Sequence, residues 1–462
     1  MRIELLNGKD VENRIKVIAT AGKLSRTKGT VFDVLDSCEI YEKNLGIVKR
    51  IIGMGHKSIM EHDYFVFALS DVTPIIEQTI ISYRLTSFTI KSGREVDFRS
   101  VGYYVPEFKD KNNKVLKNNK ELQEKYKKHM DFLFNEYGYF VDANVKEEDA
   151  RFVLPYAFNT NIVMGLDARE LERMIIAFLY GKPSNIDEIK ELGNKLFDIV
   201  KEYMPYLVEN IENQKPNNID KFDYLYKFDD IKIFDKAKLL NYTPNVDNTI
   251  IESAIMYRNQ CTSELANEIL NELEKKDSNI KEKIINDIKW ADEQRELEQV
   301  SFQFQIPISL IILKHLTRHR MQSILIPDFV PMWNLSNYKT PPTIKSVDEA
   351  RFIEDNNINI KVYNEFKDAG VRDEDLVYFY LCGQLVNVYT TMNGRTLEWI
   401  TRMRSCTKAH WEIRKISNDM LKQVKEIAPL YSTCLGATCD AFGTCPEGKE
   451  SCGKVNKICA GN

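Results

Sequence analysis

Two short clusters of one design carry the residues best able to do chemistry, and each is half preserved. One reads Arg318-His319-Arg320-Met321-Gln322-Ser323. Its two guanidinium groups are planar forks suited to phosphate oxygens, and His319 can hydrogen-bond or stack. Three cationic or ionisable groups that follow an apolar run, Ile306 to Leu313, are costly unless they face anions or water. The plainer alternative is a basic cluster at a helix end, favoured by the helix dipole. The other cluster reads Ser82-Tyr83-Arg84-Leu85-Thr86-Ser87 and runs on to Lys91-Ser92-Gly93-Arg94. Gly93 lets the backbone approach a ligand closely, and Ser92 and Arg94 on either side can reach a phosphate oxygen. Taken alone, Ser92-Gly93-Arg94 fits a polar turn equally well.

The elements that must position these clusters occur twice. Met1 to Asn7 resembles Lys238 to Pro244, and Leu166 to Leu171 is echoed by Met392 to Leu397. Arg84 and Arg320 lie 236 residues apart, and Asp167 and Asn393 lie 226 apart. Offsets that close, with order kept, indicate two copies of one domain of about 200 residues. The copies are placed at 1–211 and 236–433, with a polar linker at 212–235 and a Cys- and Gly-rich tail at 434–462. Tyr64 to Leu69 and Val300 to Phe304 read as strands. Glu121 to Tyr137, Glu170 to Tyr180, Ile186 to Tyr203 and Leu397 to Ile427 read as helices. The expected class is α+β, a strand layer with long helices in each copy. The charged stretch Lys111 to Lys128 reads as a solvated helix face or loop.

The chain has 462 residues, 43% hydrophobic and 29% charged, with a net charge of -4. That balance suits globular domains with real cores and gives no global basicity for nucleic acid. The first residues lack a signal-peptide pattern, and no apolar run approaches the roughly 20 residues of a membrane helix, so a cytoplasmic protein is expected. Gly55-His56-Lys57-Ser58-Ile59-Met60-Glu61-His62 brings two His and a Glu together at a spacing that is a poor metal-ligand pattern. Cys434, Cys439, Cys445, Cys452 and Cys459 crowd the tail, but their spacings match no common zinc or iron–sulfur arrangement. With little apolar content, the tail is expected to stay out of any core.

Taken in order, these motifs resemble the flavin-dependent thymidylate synthase family. The first copy has Gly55-His56-x-Ser58-x-x-Glu61-His62, an aromatic strand, Arg84-x-x-Ser87, Ser92-Gly93-Arg94, then Arg151-Phe152-Val153-Leu154-Pro155 and Asp167-Ala168-Arg169. The second has Arg318-His319-Arg320-x-x-Ser323, Asn393-x-Arg395, Arg404 and Trp411-Glu412-Ile413-Arg414. The resemblance covers nearly all of residues 1–430. It implies FAD held by His56, Ser58, Arg84, Ser87, Arg318, His319, Arg320, Ser323 and Asn393. It implies dUMP held by Ser92, Gly93, Arg94, Arg151 and Arg404. It implies reductive methylation of dUMP to dTMP, with methylene tetrahydrofolate or a related pterin and NAD(P)H as co-substrates and no protein nucleophile. The alternatives are a paralogue acting on another pyrimidine nucleotide and a non-catalytic nucleotide- or flavin-binding protein.

The departures from the family pattern are complementary. In the first copy Ser82 and Tyr83 replace Arg and His, Thr89 and Asp167 replace Asn, and Phe178 replaces a nucleotide-binding Arg. In the second, Asp328-Phe329-Val330 replaces Ser-Gly-Arg, Val377 replaces the Arg before Val-Leu-Pro, and Glu293 and Lys408 replace His. The family's sites form between subunits of a homotetramer. The resemblance therefore implies a homodimer acting as a pseudo-tetramer, with each live site drawing on both copies.

Overall fold

The computed structural model describes residues 1–93, 96–217, 219, 223–225, 232–328, 330 and 334–455. Their strands form two antiparallel four-stranded sheets of one topology. β1 (Arg2–Leu5), β2 (Tyr64–Val72), β3 (Ser87–Ile90) and β4 (Thr160–Asp167) stand in the order β1-β2-β4-β3. β5 (Lys238–Tyr242), β6 (Ser301–Ser309), β7 (Ser323–Leu325) and β8 (Leu385–Asn393) stand in the order β5-β6-β8-β7. The chain is thus an α+β tandem repeat.

It divides into two compact units. One comprises the described residues of Met1–Ile231, Phe329–Ser336 and Thr340–Cys382. The other comprises those of Lys232–Asp328, Asn337–Lys339 and Gly383–Asn462. A stretch that the repeat pattern gives to the second copy, 340–382, therefore packs in the first unit.

Each sheet buries one face through alternation. Phe65, Phe67 and Leu69 point inward from β2, and Phe302, Phe304, Ile306 and Ile308 do so from β6. The apolar run Ile306 to Leu313 is not a single element: β6 ends at Ser309 and the helix Leu310–Thr317 follows at once. A buried carboxylate makes the corner. Glu412 accepts from the Ser309 backbone N–H at 2.8 Å and from its hydroxyl at 2.7 Å. In the first unit Glu188 does the same for Thr73, at 3.0 and 2.6 Å, where β2 turns into the helix Pro74–Ile81. These bonds satisfy a donor that the first helical turn leaves open.

In the first unit the helix Asn119–Asp142 packs along the helix Pro342–Asp368. A His129 ring nitrogen meets the Asn359 amide oxygen at 2.8 Å, and the Asn359 amide nitrogen donates to the Phe379 carbonyl at 2.9 Å. Arg351 bonds Glu136 through two nitrogens, at 2.5 and 2.9 Å. Beside these helices the Tyr156 N–H donates to the Tyr380 carbonyl and the Cys382 N–H to the Leu154 carbonyl, at 2.6 and 2.9 Å. Leu154 to Tyr156 and Tyr380 to Cys382 are equivalent positions of the two repeats. Their antiparallel crossing is a local pseudo-two-fold contact of the kind symmetric dimers make.

Two sequence expectations change. The helix expected from Leu397 to Ile427 is two, Gly394–Arg404 and Trp411–Ile427. The polar stretch between them ends at His410, whose Nδ1 caps the second helix by accepting from the Glu412 N–H at 3.2 Å. The tail does join the core at its start, because Cys434, Leu435 and Ala437 are buried. Its short helix Thr438–Phe442 packs on Gly394–Arg404, with the Arg402 guanidinium 4.5 Å from the Phe442 ring centre. The charged stretch Lys111 to Lys128 is, as expected, loop and helix: a loop that continues into the helix Asn119–Asp142. Among the described residues no helix is long and apolar enough to cross a membrane.

Asp355 gives the helix pair a pH dependence. It is buried near Glu136 and Arg351, and its Oδ2 lacks a hydrogen-bond partner. Burial, and then the Glu136 charge, push its carboxyl up to about 7. A carboxyl raised above its unfolded value keeps its proton in the folded state, so stability falls as pH rises from about 4 to about 7 and is flat above. Asp355→Asn should remove much of that slope and leave the protein more stable than wild type at pH 8. Urea unfolding midpoints at pH 5 and pH 8 test this, and an unchanged slope would refute it.

Candidate functional site

In the second unit the helix Leu310–Thr317 ends in a turn that presents Arg318, His319 and Arg320 and leads into β7. Arg318 and Arg320 are exposed, and His319 between them is buried. Gln322 holds the turn from below. Its amide nitrogen donates to the Leu316 carbonyl at 2.6 Å, and its amide oxygen accepts the Thr390 hydroxyl of β8 at 2.7 Å. Sequence reasoning gave Gln322 and Thr390 no role, because a buried amide under a turn has no spacing signature.

Arg404, at the end of Gly394–Arg404, donates from Nε to His319 Nε2 at 3.0 Å. A ring nitrogen that accepts carries no proton, so His319 is neutral with its hydrogen on Nδ1. Burial, then Arg404 and Arg318, push its pKa down to about 3. The structure therefore brings Arg318, His319 and Arg404 together, with Arg320 two residues from Arg318 on the same turn. The result is a patch of fixed positive charge around one neutral imidazole.

The equivalent turn of the first unit is built differently. Tyr83 stands for His319 and Phe178 for Arg404. Their rings meet edge to face, with centroids 5.9 Å apart at 87°. The Arg173 guanidinium lies 5.1 Å from the Tyr83 ring centre and is held by Glu170 at 2.8 Å. The polar pair of one unit is thus an aromatic pair in the other. Arg84 remains at the exposed end of the turn, and Ser87 is exposed at the start of β3.

β3 leads to Ser92 and Gly93. A β-carbon on Gly93 would stand 2.5 Å from Nη1 of Arg151, so any larger residue would displace that guanidinium. Arg151 is buried, and its Nε donates to the Glu148 carbonyl at 3.2 Å. Gly93 and Arg151 are therefore joined, with Ser92 exposed beside them. Arg94, Phe329 and Cys459 lie outside the described residues.

The other expected residues are dispersed. His56 and Ser58 are exposed on the stretch before β2. Ser323 is exposed at the start of β7, opposite Thr391 of β8. Asn393 is the N-cap of Gly394–Arg404, its side-chain oxygen accepting from the Thr396 N–H at 2.8 Å, and Asp167 caps Ala168–Tyr180 in the same way at 2.9 Å. Among the described residues no group of three or more His, Cys, Asp or Glu is arranged to hold a metal. Glu61, between His56 and His62, pairs with Arg169 at 2.5 Å. The described tail cysteines are free thiols, and burial pushes Cys434 up to about 11.

The pattern that describes the family "Thymidylate synthase complementing protein" matches residues 8–206 and matches again over 238–430. The chain belongs to this family, as two tandem copies. A flavin-dependent thymidylate synthase of Clostridium tetani is 32% identical over 245 residues, 48% of this chain and 95% of the relative. One of Saccharolobus solfataricus is 31% identical over 196 residues, 42% of this chain and 70% of the relative. One of Thermococcus onnurineus is 35% identical over 130 residues, and there this chain spans half of the relative's length. A solved thymidylate synthase of Helicobacter pylori with FAD and dUMP overlays with a TM-score of 0.34 and 17% identity, over 46% of this chain and 100% of that one. A likeness that slight decides nothing about function.

Within the family pattern the two repeats differ by a paired exchange, His319–Arg404 against Tyr83–Phe178. His319→Tyr alone leaves Arg404 facing a ring, and Arg404→Phe alone leaves His319 buried without its donor. Each should cost about 1–3 kcal/mol. The double variant should recover part of that loss, giving a coupling energy well away from zero in a double-mutant cycle. Additive losses in unfolding midpoints would show that the two aromatic substitutions are independent.

Proposed function

We propose that the protein is a flavin-dependent thymidylate synthase whose ligand-binding residues are divided between its repeats, the second holding FAD and the first holding dUMP. The observation that carries this reading is the division itself. The His319–Arg404 pair with exposed Arg318 and Arg320 occurs only in the second repeat, and the close Gly93–Arg151 approach belongs to the first. Neither unit offers both. Co-substrates of the methylene tetrahydrofolate and NAD(P)H kind belong to the same proposal.

The donor set suits a flavin dinucleotide. Arg318 and Arg320 supply forked, permanently charged donors for a pyrophosphate, and charge-assisted bonds of that kind are worth roughly 1.5–3 kcal/mol each. His319 stays neutral across the working pH range, so it adds a hydrogen-bond donor at Nδ1 without adding charge. Reduced flavin, when bound, supplies the hydride of a reductive methylation. The protein's own part is to bind and orient. Ser92, Arg94 and Arg151 would hold the nucleotide, and their fixed charge would stabilise charge that develops on the pyrimidine.

Arg318→Ala should purify largely without flavin, read from the flavin absorbance of the isolated protein; full occupancy would overturn the flavin assignment. Arg94→Ala should weaken dUMP binding at least about tenfold, roughly 1.4 kcal/mol. The assembly follows from the division: a homodimer with two flavins per dimer, since one motif copy per chain keeps the charged turn. Mass in solution with flavin quantitation tests that, and two flavins per chain would end the divided model. Complementation of a thymidine auxotroph tests the activity as a whole and separates an enzyme from a silent nucleotide-binding protein.

A further inference from the structure

The tail, whose composition places it outside any core, lies against the helix that carries Arg404. That helix ends at Arg404, with Ser405 as its C-cap. Carbonyls in a last turn have no partners within the helix, and such turns fray unless something outside holds them. Arg404 reaches His319 from this last turn, with 3.0 Å between Nε and Nε2. The bond that fixes the imidazole therefore depends on what steadies the end of the helix.

Two side chains just before Arg404 meet the tail. The Thr401 hydroxyl, fully buried, accepts the Gly436 N–H at 3.2 Å and donates to the Glu398 carbonyl at 2.9 Å. The Arg402 guanidinium lies 4.5 Å from the Phe442 ring centre and 5.4 Å from that of Trp399, and it pairs with Glu398 at 3.2 Å. Phe442 is braced in turn from the end of the helix Ile280–Lys289. Trp290 meets its ring edge to face, with centroids 5.3 Å apart at 90°, and the Lys289 ammonium lies 5.1 Å from the ring centre. The first repeat is an internal control. Its helix Ala168–Tyr180 has Ile175, Ile176 and Phe178 where the second repeat has Thr401, Arg402 and Arg404. The hydroxyl and the guanidinium that grip the tail occur in the repeat that keeps the His319–Arg404 pair. The other repeat has apolar side chains at all three positions.

We propose that Phe442 and Thr401 are positioning residues, and that the tail they anchor clamps the last turn of Gly394–Arg404 so that Arg404 stays on His319. The consequence for FAD rests on the flavin reading given above, and the clamp itself does not. What the clamp controls is a tautomer. While Arg404 donates to Nε2, the His319 hydrogen sits on Nδ1 and is available to a ligand. With the clamp open the last turn frays, and the guanidinium is solvated in place of its bond to the ring. Nε2 is then free to carry the hydrogen, which makes Nδ1 an acceptor. The turn between Arg318 and Arg320 loses a fixed donor, and an anionic ligand meets a lone pair there.

The test is the ring nitrogen NMR spectrum of His319 in the full-length protein, labelled at histidine and read before FAD is added, followed by a titration with FAD. A His319→Gln spectrum assigns the signal. Wild type should show the Nδ1–H form alone. Phe442→Ala should show both tautomers and bind FAD about tenfold less tightly. Phe442→Tyr, which keeps the ring, should return both readings to those of wild type. Thr401→Val removes the acceptor of the Gly436 N–H and should act as Phe442→Ala does, so it decides the matter if that variant does not fold. A folded Phe442→Ala or Thr401→Val protein with the wild-type spectrum overturns the clamp, as does a wild type with its hydrogen on Nε2. A changed spectrum with unchanged FAD affinity supports the clamp and overturns the flavin assignment of the turn.

Discussion

The buried carboxylate at the end of the central strand is the contact on which the rest of each unit depends. Glu188 and Glu412 each hold the N-cap residue of a helix, Thr73 or Ser309, by its N–H and by its hydroxyl, where an extended strand must turn into a helix within one residue. The carboxylate comes from the helix Asp187–Tyr203 in one unit and Trp411–Ile427 in the other, so one side chain ties strand, corner and covering helix together. A buried carboxylate is unfavourable in itself. Desolvation pushes Glu188 up to about 7, against the lowering effect of hydrogen bonds from Thr73 and Tyr378. Its retention in both repeats fits a corner that no apolar residue could make, because the N–H and hydroxyl of the N-cap residue would then lose their acceptor.

From that corner the geometry follows in order. The helix is two turns long, so its end, and the motif turn after it, fall at a fixed height over the sheet. In the second unit Gln322 pins the turn to Leu316 and to β8, and Arg404 then reaches His319 from the next helix. The exposed guanidinium groups of Arg318 and Arg320 thus stand on a rigid base, which is what recognition of a charged ligand requires. The first unit keeps the same scaffold and fills the same interior position with Tyr83 and Phe178. One scaffold can serve two roles because the corner and the sheet, not the ligand residues, hold it up.

Much of this was legible in the sequence, for physical reasons. Phe65, Phe67 and Leu69 alternate because one face of the sheet is buried, and the tandem topology shows in the constant offset between landmarks. The pairing of Gly93 with Arg151 follows the family pattern. Other features leave no local trace. The break at 405–410 is hidden because each helix carries helical apolar spacing of its own and no Pro or Gly marks the junction. The packing of Pro342–Asp368 on Asn119–Asp142 is invisible because a repeat pattern records ancestry and not which core a helix joins. Tyr83 and Phe178 read as two separate losses, 95 residues apart in sequence, and only the fold shows that their rings touch.

That contact changes the meaning of the losses. A buried imidazole and the guanidinium that donates to it form a unit. Removing either alone leaves a polar group without its partner in a place water reaches poorly, and replacing both with rings of suitable shape does not. A repeat that no longer binds the anion is therefore pushed toward losing the whole pair and gaining the stability of an aromatic contact. The same reasoning bears on Arg151, buried in the first repeat, where the second repeat has Val377. Interiors do not tolerate half an exchange. On the reading proposed above, the division between the repeats is cut along the lines of buried polar pairs, and solvent-facing residues such as Arg84 are the ones that could stay behind.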